Sequence, residues 1–322
     1  LNVSYSNIAI INSTNVFNIN VYSNIDLCIN LAKINNIKRI NKFHESVNIS
    51  MSNSGIYCSC AETTNQRKKR KKNKHFFFMR PFIIFFDFLY KRVIPKLPIF
   101  KKIYFFITKG KNRVMSKTEI LGRLASCGFK IMKYFEHDGL IYIISKKTKK
   151  PYFDMSPSYG PIFKMKRLGQ NKKIINVYKI RTMSPYAEYI QTDVINENKL
   201  SRSGKINDDF RVTSYGKILR KYWIDELPML INWIRGDLKL IGVRPLSKDY
   251  FERYPKELQE LRTKSKPGLI PPYYVDLPSS FNEICESEKK YLYKYRENPL
   301  KTDLIYFYKA AWNILIKRKR SG

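Results

Sequence analysis

Asp26-Leu27-Cys28-Ile29-Asn30-Leu31-Ala32, then Ile37 through Val47, then Ser54-Gly55 running into Ile56-Tyr57-Cys58-Ser59-Cys60: the order of these segments decides the fold class. The first is a short apolar run, the length and composition of a buried strand. The second carries Ile37, Ile40, Phe43 and Val47 at helical spacing on one side. Ser54-Gly55 reads as a turn that feeds the second strand. Strand, helix, glycine turn and strand make a piece of an α/β layer. The same alternation resumes later. Ser116-Lys117-Thr118-Glu119 has the form of a capping box, Ile120, Leu121 and Leu124 continue its apolar face, Gly128 suits a helix C-terminus, and Leu140 to Ile144 is a strand.

Between these pieces lies a different kind of sequence. A basic run from Arg67 to Lys74 leads into the aromatic stretch Phe76 to Tyr90, closed by Lys91-Arg92 and Pro95-Lys96-Leu97-Pro98. The stretch falls short of the ~20 apolar residues of a membrane span, and Arg80, Pro81 and Asp87 interrupt it. Basic flanks around aromatics suit interfacial or re-entrant helices, so 76–115 is expected to be a membrane-interface segment. The alternative is a buried helix beside a solvated charge run. Residues 1–147 weakly resemble the later half of a class I methyltransferase fold, without its glycine-rich cofactor loop. That resemblance implies a partial, Rossmann-like remnant in 1–75, continued by helix and strand in 116–150.

The chain has 322 residues, with 61 Lys and Arg against 26 Asp and Glu, a net charge of +35. Such a field attracts phosphates carried by nucleic acid, anionic lipid or phosphorylated substrates. Lys, Asn, Ile and Tyr are all frequent, so the total alone does not point to nucleic acid. Five cysteines without metal spacing and three scattered histidines, His44, His75 and His137, argue against a zinc site and histidine-based catalysis. No signal peptide is recognisable, and because the chain starts at Leu1 a truncated N-terminus is expected.

The chemistry is concentrated in 151–322. Ser158-Tyr159-Gly160-Pro161-Ile162-Phe163, Lys166-Arg167-Leu168-Gly169 and Val177-Tyr178-Lys179-Ile180-Arg181-Thr182-Met183 come first. Asp208-Asp209-Phe210-Arg211-Val212-Thr213 with Gly216 and Arg220 follows, then Trp223-Ile224-Asp225-Glu226-Leu227-Pro228 with Asn232, then Gly236-Asp237 and Gly242-Val243-Arg244-Pro245. The adjacent carboxylates of Asp225 and Glu226 can divide labour, one attacking and the other holding a divalent metal or managing a proton. Attack on phosphorus requires charge neutralisation, which Lys179, Arg181, Arg211, Arg220 and Arg244 can supply. Pro228 places the dyad at an element boundary, and Gly242 with Pro245 suggests a tight loop around Arg244.

This ordered series, extended by Lys266-Pro267-Gly268 and Asp303-Leu304, closely resembles the bacterial sugar transferases, the monotopic polyprenyl-phosphate glycosyl-1-phosphate transferases. Among them it looks most like Bacteroidetes-type members with an α/β N-terminal extension. The resemblance implies an α+β catalytic domain over 151–322 at the cytoplasmic face of the bacterial inner membrane. It implies a nucleotide-diphosphate sugar, usually a UDP-sugar, as donor and polyprenyl (undecaprenyl) phosphate as acceptor, with membrane lipid as a further partner and no nucleic acid. Asp225 matches the nucleophile that takes the phosphosugar and releases UMP, and Glu226 its partner, with both carboxylates on Mg2+. Arg244 matches a phosphate-binding arginine, and Lys179, Arg181 and Arg220 fall in motifs expected near the nucleotide sugar. Val243 replaces a usual proline, Trp223 a usual small polar residue, and Leu269-Ile270-Pro271-Pro272 a usual Ile-Thr-Gly sequence. The family's N-terminal hydrophobic hairpin is absent in standard form, and Phe76 to Pro98 stands in its place. The rival reading is a non-catalytic, basic membrane- or RNA-binding protein whose tyrosines, such as Tyr273, Tyr274 and Tyr291, stack on bases. Leu304 to Lys319, with Tyr306, Phe307, Ala310, Ala311, Ile314 and Leu315 at helical spacing, is expected to be an amphipathic helix on anionic lipid.

Overall fold

The computed structural model describes residues 7–153, 160–190 and 209–316. These form two compact units: 7–153, 160, 183–190 and 209–211 belong to the first, 161–182 and 212–316 to the second. The division falls at 160/161 instead of the expected 150/151, and two later segments return to the first unit. Ser158, Tyr159, Asp208 and the basic end Lys317 to Arg320 lie outside the described residues.

The first unit is a five-stranded mixed sheet in the order β1-β2-β3-β5-β4. Strands β1 (Ile8–Ile11), β2 (Ile25–Lys33) and β3 (Met51–Ala61) are parallel, and β5 (Leu140–Lys147) runs antiparallel between β3 and β4 (Phe129–His137). Helix α1 (Ile40–Ser50) buries Ile40, Phe43 and Val47, as their spacing predicts. Ser54-Gly55 is not the expected turn between elements, because β3 runs through it. Its pairing with β2 jumps from Ile25↔Met51 to Leu27↔Ile56, so the extra residues of β3 bulge out, with Ser54 at φ 68. A Cβ on Gly55 would lie 2.9 Å from the Ile25 carbonyl oxygen, which is why glycine sits at the bulge. The hairpin strand β4 was not anticipated. Its turn is Asp138-Gly139, both with positive φ, the dipeptide that favours a two-residue hairpin loop.

Helix α2 (Thr64–Lys74) carries the basic run, and α3 (Arg80–Phe88) and α4 (Pro98–Thr108) follow it, joined by a π turn at Leu89–Val93. Asp87, the one acid in the aromatic stretch, is gripped by both Nε and Nη2 of Arg67 (2.7 and 2.9 Å). The aromatic side chains do not form a buried helix: Phe76, Phe77 and Phe78 are 85, 71 and 84% exposed, and Phe82, Phe85, Phe86, Ile103 and Phe106 are exposed too. No helix among the described residues is long and apolar enough to cross a membrane. Helix α5 (Lys117–Ser126) begins at Ser116, whose hydroxyl accepts from the Glu119 amide. Glu119 does not close the capping box. Its buried carboxylate is taken by Arg92 and Arg123. Burial opposes its charge, but the guanidinium groups outweigh that cost and hold its pKa well below the usual range.

The second unit contains the antiparallel hairpin β6 (Ile162–Leu168) and β7 (Ile174–Ile180), and the short parallel pair β8 (Lys239–Ile241) and β9 (Gly268–Ile270). Around them run α6 (Ser214–Lys221), α7 (Met229–Ile234), α8 (Lys248–Phe251), α9 (Lys256–Thr263), α10 (Tyr273–Asp276), α11 (Phe281–Glu297) and α12 (Pro299–Leu315). The main core gathers Ile241, Val243, Leu258, Leu261, Tyr291 and Tyr306. The apolar stripe of α12 expected to lie on lipid is in part its core face: Tyr306 and Ala310 are buried, while Leu304, Tyr308 and Trp312 point outward. Asp303 accepts from Lys239 Nζ (3.1 Å) and from the Tyr291 hydroxyl (2.7 Å), tying α12 to β8 and α11.

Candidate active site

The site is built on one face of the β6–β7 hairpin. In that register Met165 pairs with Val177, Phe163 with Lys179, and Arg167 with Ile175. Side chains alternate along a strand, so Met165, Arg167, Val177 and Lys179 share a face. Asn232, fully buried on α7, fixes the hairpin to the dyad's helix: its side chain accepts from the Tyr178 amide (3.0 Å) and donates to the Asn176 carbonyl (2.7 Å).

Asp225 and Glu226 occupy a 3-10 turn, Ile224–Glu226, between Trp223 and α7, with Pro228 as the N-terminal cap of α7. Trp223 adopts the left-handed conformation at φ 56, which bulky side chains seldom take. Its ring packs edge-on against Tyr274, centroids 5.2 Å apart. Asp225 is 8% exposed. Burial pushes its carboxyl pKa up and the charge of Glu226 adds to this, while Lys179 and Arg220 pull it down; the balance lies above the ordinary value. Lys179 Nζ donates to Glu226 Oε1.

The opposite wall is the segment after β8. Gly242 and Gly268 permit the close approach of β8 and β9: a Cβ on Gly268 would lie 2.1 Å from the Gly242 nitrogen. Leu168 N–H donates to the Leu246 carbonyl (2.9 Å) and joins the hairpin to this loop. Arg262 Nη2 donates to the Arg244 carbonyl (2.6 Å), while its Nη1 pairs with the buried Glu288. Between the walls opens a cleft of about 370 Å3, lined by Arg167, Lys179, Glu226, Arg244, Tyr250 and Tyr273, with Met165, Met229, Pro245, Leu269 and Pro271 as its apolar surface.

Of the residues singled out in the sequence, Lys179, Glu226 and Arg244 line this cleft and Asp225 sits in the same turn as Glu226. Arg220 Nε donates to Thr182 Oγ1 (2.9 Å), and the Arg181 guanidinium stacks on Phe163, 4.9 Å from its centroid. Neither lines the cleft. Arg211 belongs to the first unit, where its buried guanidinium is bound twice by Asp209 (2.8 and 2.7 Å). The cleft also takes in Arg167, quoted in the sequence only as part of a motif, Tyr273, named there only as a base-stacking candidate, and Tyr250, not singled out at all. For Arg167 the signal was available, since its place in strand alternation puts it on the face of Lys179. The tyrosines come from elements distant in sequence and carried no such signal.

Among the described residues no three His, Cys, Asp or Glu side chains converge as a metal cage. Asp225 and Glu226 are the adjacent carboxylates that would hold Mg2+, an ion that takes one or two carboxylates and completes its shell with substrate phosphates and water.

A sequence profile of the family described as bacterial sugar transferase matches residues 153–317, just over half of the chain. The chain is 36% identical over 138 residues to a galactosyl transferase CpsE of Streptococcus agalactiae, covering 41% of this chain and 30% of that protein. It is 30% identical over 135 residues to an undecaprenyl-phosphate galactose phosphotransferase of Salmonella typhimurium, covering 40% and 27%. It is 37% identical over 115 residues to a UDP-glucose:undecaprenyl-phosphate glucose-1-phosphate transferase of Klebsiella pneumoniae, covering 35% and 23%. The chain thus matches no more than about a third of the length of these three relatives. With its dyad, basic cleft and ordered motifs falling within the matched residues, the chain belongs to the bacterial sugar transferase family.

Proposed function

We propose that the second unit transfers a sugar-1-phosphate from a UDP-sugar to undecaprenyl phosphate, the first membrane step of polysaccharide assembly. The observation that carries this reading is the acidic turn Asp225-Glu226 at a cleft lined by Lys179, Arg167 and Arg244. An Asp225 oxygen attacks the sugar-bearing phosphorus; the bond from that phosphorus to the bridging oxygen breaks, and its electron pair leaves with UMP. A phosphate oxygen of the acceptor then attacks the same phosphorus, and the bond to Asp225 breaks to restore the carboxylate. The raised proton affinity of Asp225 reflects a carboxylate poorly solvated before reaction, and such a group is a better nucleophile than a hydrated one. Glu226 and Asp225 are the groups that would hold Mg2+, which supplies charge neutralisation to the donor phosphates. The Lys179 ammonium, paired with Glu226, stands beside the dyad.

The acceptor is embedded in lipid, so the reading also requires attachment, at the cytoplasmic face of the inner membrane. The exposed aromatics of α3 and α4 beside the basic α2 supply an apolar surface and an anionic-lipid attractor. The rest of the first unit is read as a partial Rossmann-like remnant that supports this segment. UMP release from a panel of UDP-sugars, with undecaprenyl phosphate in detergent, tests the proposal. Release with one or more sugars, abolished by Asp225→Ala, is expected; release unchanged in Asp225→Ala overturns it.

A further inference from the structure

Arg167 and Arg244 line the same cleft, and Arg167 differs from the other inward-facing arginines. Arg262 pairs with Glu288, Arg211 with Asp209, Arg123 with Glu119 and Arg67 with Glu62 and Asp87. Among the described residues, the half-buried Arg167 donates only to the neighbouring Lys166 carbonyl (2.9 Å) and to Met165 Sδ (3.2 Å), a weak acceptor. No carboxylate among the described residues forms a salt bridge with Arg167, whereas Arg244 has a hydrogen bond with Tyr273 and the nearby charge of Glu226 to offset its burial. Burial lowers the proton affinity of Arg167, and the like charge of Arg244 lowers it further. Lys179, by contrast, already has Glu226. Arg167 is therefore the guanidinium at this cavity with no anionic partner among the described residues, and it faces a second positive charge. A phosphate bridging them would relieve the repulsion and satisfy their donors.

We infer that Arg167 is a donor-binding residue, which with Arg244 grips the phosphate that departs with the nucleotide. This rests on the reading of the second unit as a nucleotide-sugar transferase. Position along the hairpin supports the assignment. Lys179, beside the dyad, pairs with Phe163, and Arg167 lies four residues further along β6, roughly 13 Å at strand rise. Arg167 is therefore displaced along the hairpin from Lys179 on the same face of the cleft, and the proposal places the nucleotide-side phosphate there. The polyprenyl phosphate is the other phosphate the cleft meets, and the test separates the two.

UMP is titrated against the full chain in detergent, following calorimetric affinity and the shift in unfolding temperature, for the wild type, Arg167→Gln and Arg167→Lys. Loss of one charge-assisted grip predicts UMP bound about 10- to 100-fold more weakly by Arg167→Gln. Arg167→Lys should recover part of the loss, and the KM for undecaprenyl phosphate should not change. Without ligand, Arg167→Gln should unfold at the same or a higher temperature than the wild type, because a repulsion is removed. Unchanged UMP affinity in Arg167→Gln overturns the inference alone, as does a weakened KM for undecaprenyl phosphate with UMP affinity intact. A wild-type protein that neither binds nor releases UMP overturns the underlying transferase reading as well.

Discussion

Replacing Arg262 by Met should separate stability from catalysis at one residue. The Arg262 side chain is 4% exposed and that of Glu288 1%, so the pair has left water almost completely. The guanidinium also donates to the Arg244 carbonyl at 2.6 Å and lies over Tyr254, 4.7 Å from its centroid. Removing one partner of a buried ion pair strands the other charge and costs about 3–5 kcal/mol. Against a typical domain stability of about 5–15 kcal/mol, that is a large fraction. Urea unfolding of Arg262→Met should show the loss. The double replacement Arg262→Met with Glu288→Leu removes both charges and should regain most of it, since apolar substitutes for a buried pair are often neutral or better. UMP release should not recover in the double variant, because the Arg244 carbonyl has then lost the Arg262 bond that orients the residue presenting its guanidinium. A single replacement costing less than about 1 kcal/mol, or a double variant as unstable as the single one, would show that the stranded Glu288 charge is not the source of the loss.

Gly268→Ala places a Cβ 2.1 Å from the Gly242 backbone nitrogen, and no flexible side chain is there to yield; a loss of about 1–3 kcal/mol is expected by urea unfolding, with reduced donor turnover. Asp225→Asn should raise the unfolding temperature at neutral pH while abolishing activity. The raised folded-state pKa of Asp225 is a penalty fully present above that value, so the gain should vanish as pH falls below the ordinary 3.8. A gain that grows in acid would contradict this. Flotation with anionic vesicles should carry the full chain. Serine at Phe82, Phe85 and Phe86, all exposed on α3, should weaken that association, and 0.5 M salt should weaken it further through the basic α2. Equal flotation on neutral vesicles and by the serine variant would remove this segment as the lipid contact.

The sequence was most legible where local pattern and tertiary role coincide. Strand β2 and helix α1 follow from their apolar spacing, and Pro228 marks the start of α7. Ser54-Gly55 misled because glycine there answers to the neighbouring Ile25 carbonyl, a demand that looks like a turn when only one strand is visible. Strand β4 escaped notice although Asp138-Gly139 announces a hairpin, because its residues are mostly exposed and carry little alternation. On α12, apolar residues point both ways, so helical spacing alone could not say which stripe meets the core. The dyad and Arg244 came from motif order, and the structure adds what their spacing could not: Arg262 and Asn232 support them from opposite walls, and Arg211 is spent on Asp209.

The central claim is that Asp225 carries the phosphosugar. Incubation with a UDP-sugar that supports turnover, Mg2+ present and undecaprenyl phosphate withheld, should give a stoichiometric burst of UMP. Peptide mapping by mass spectrometry should then find the phosphosugar on Asp225, and it should disappear when undecaprenyl phosphate is added. UMP formed only when both substrates are present, with no adduct on Asp225 under quench conditions that preserve acyl phosphates, would rule out Asp225 as the nucleophile.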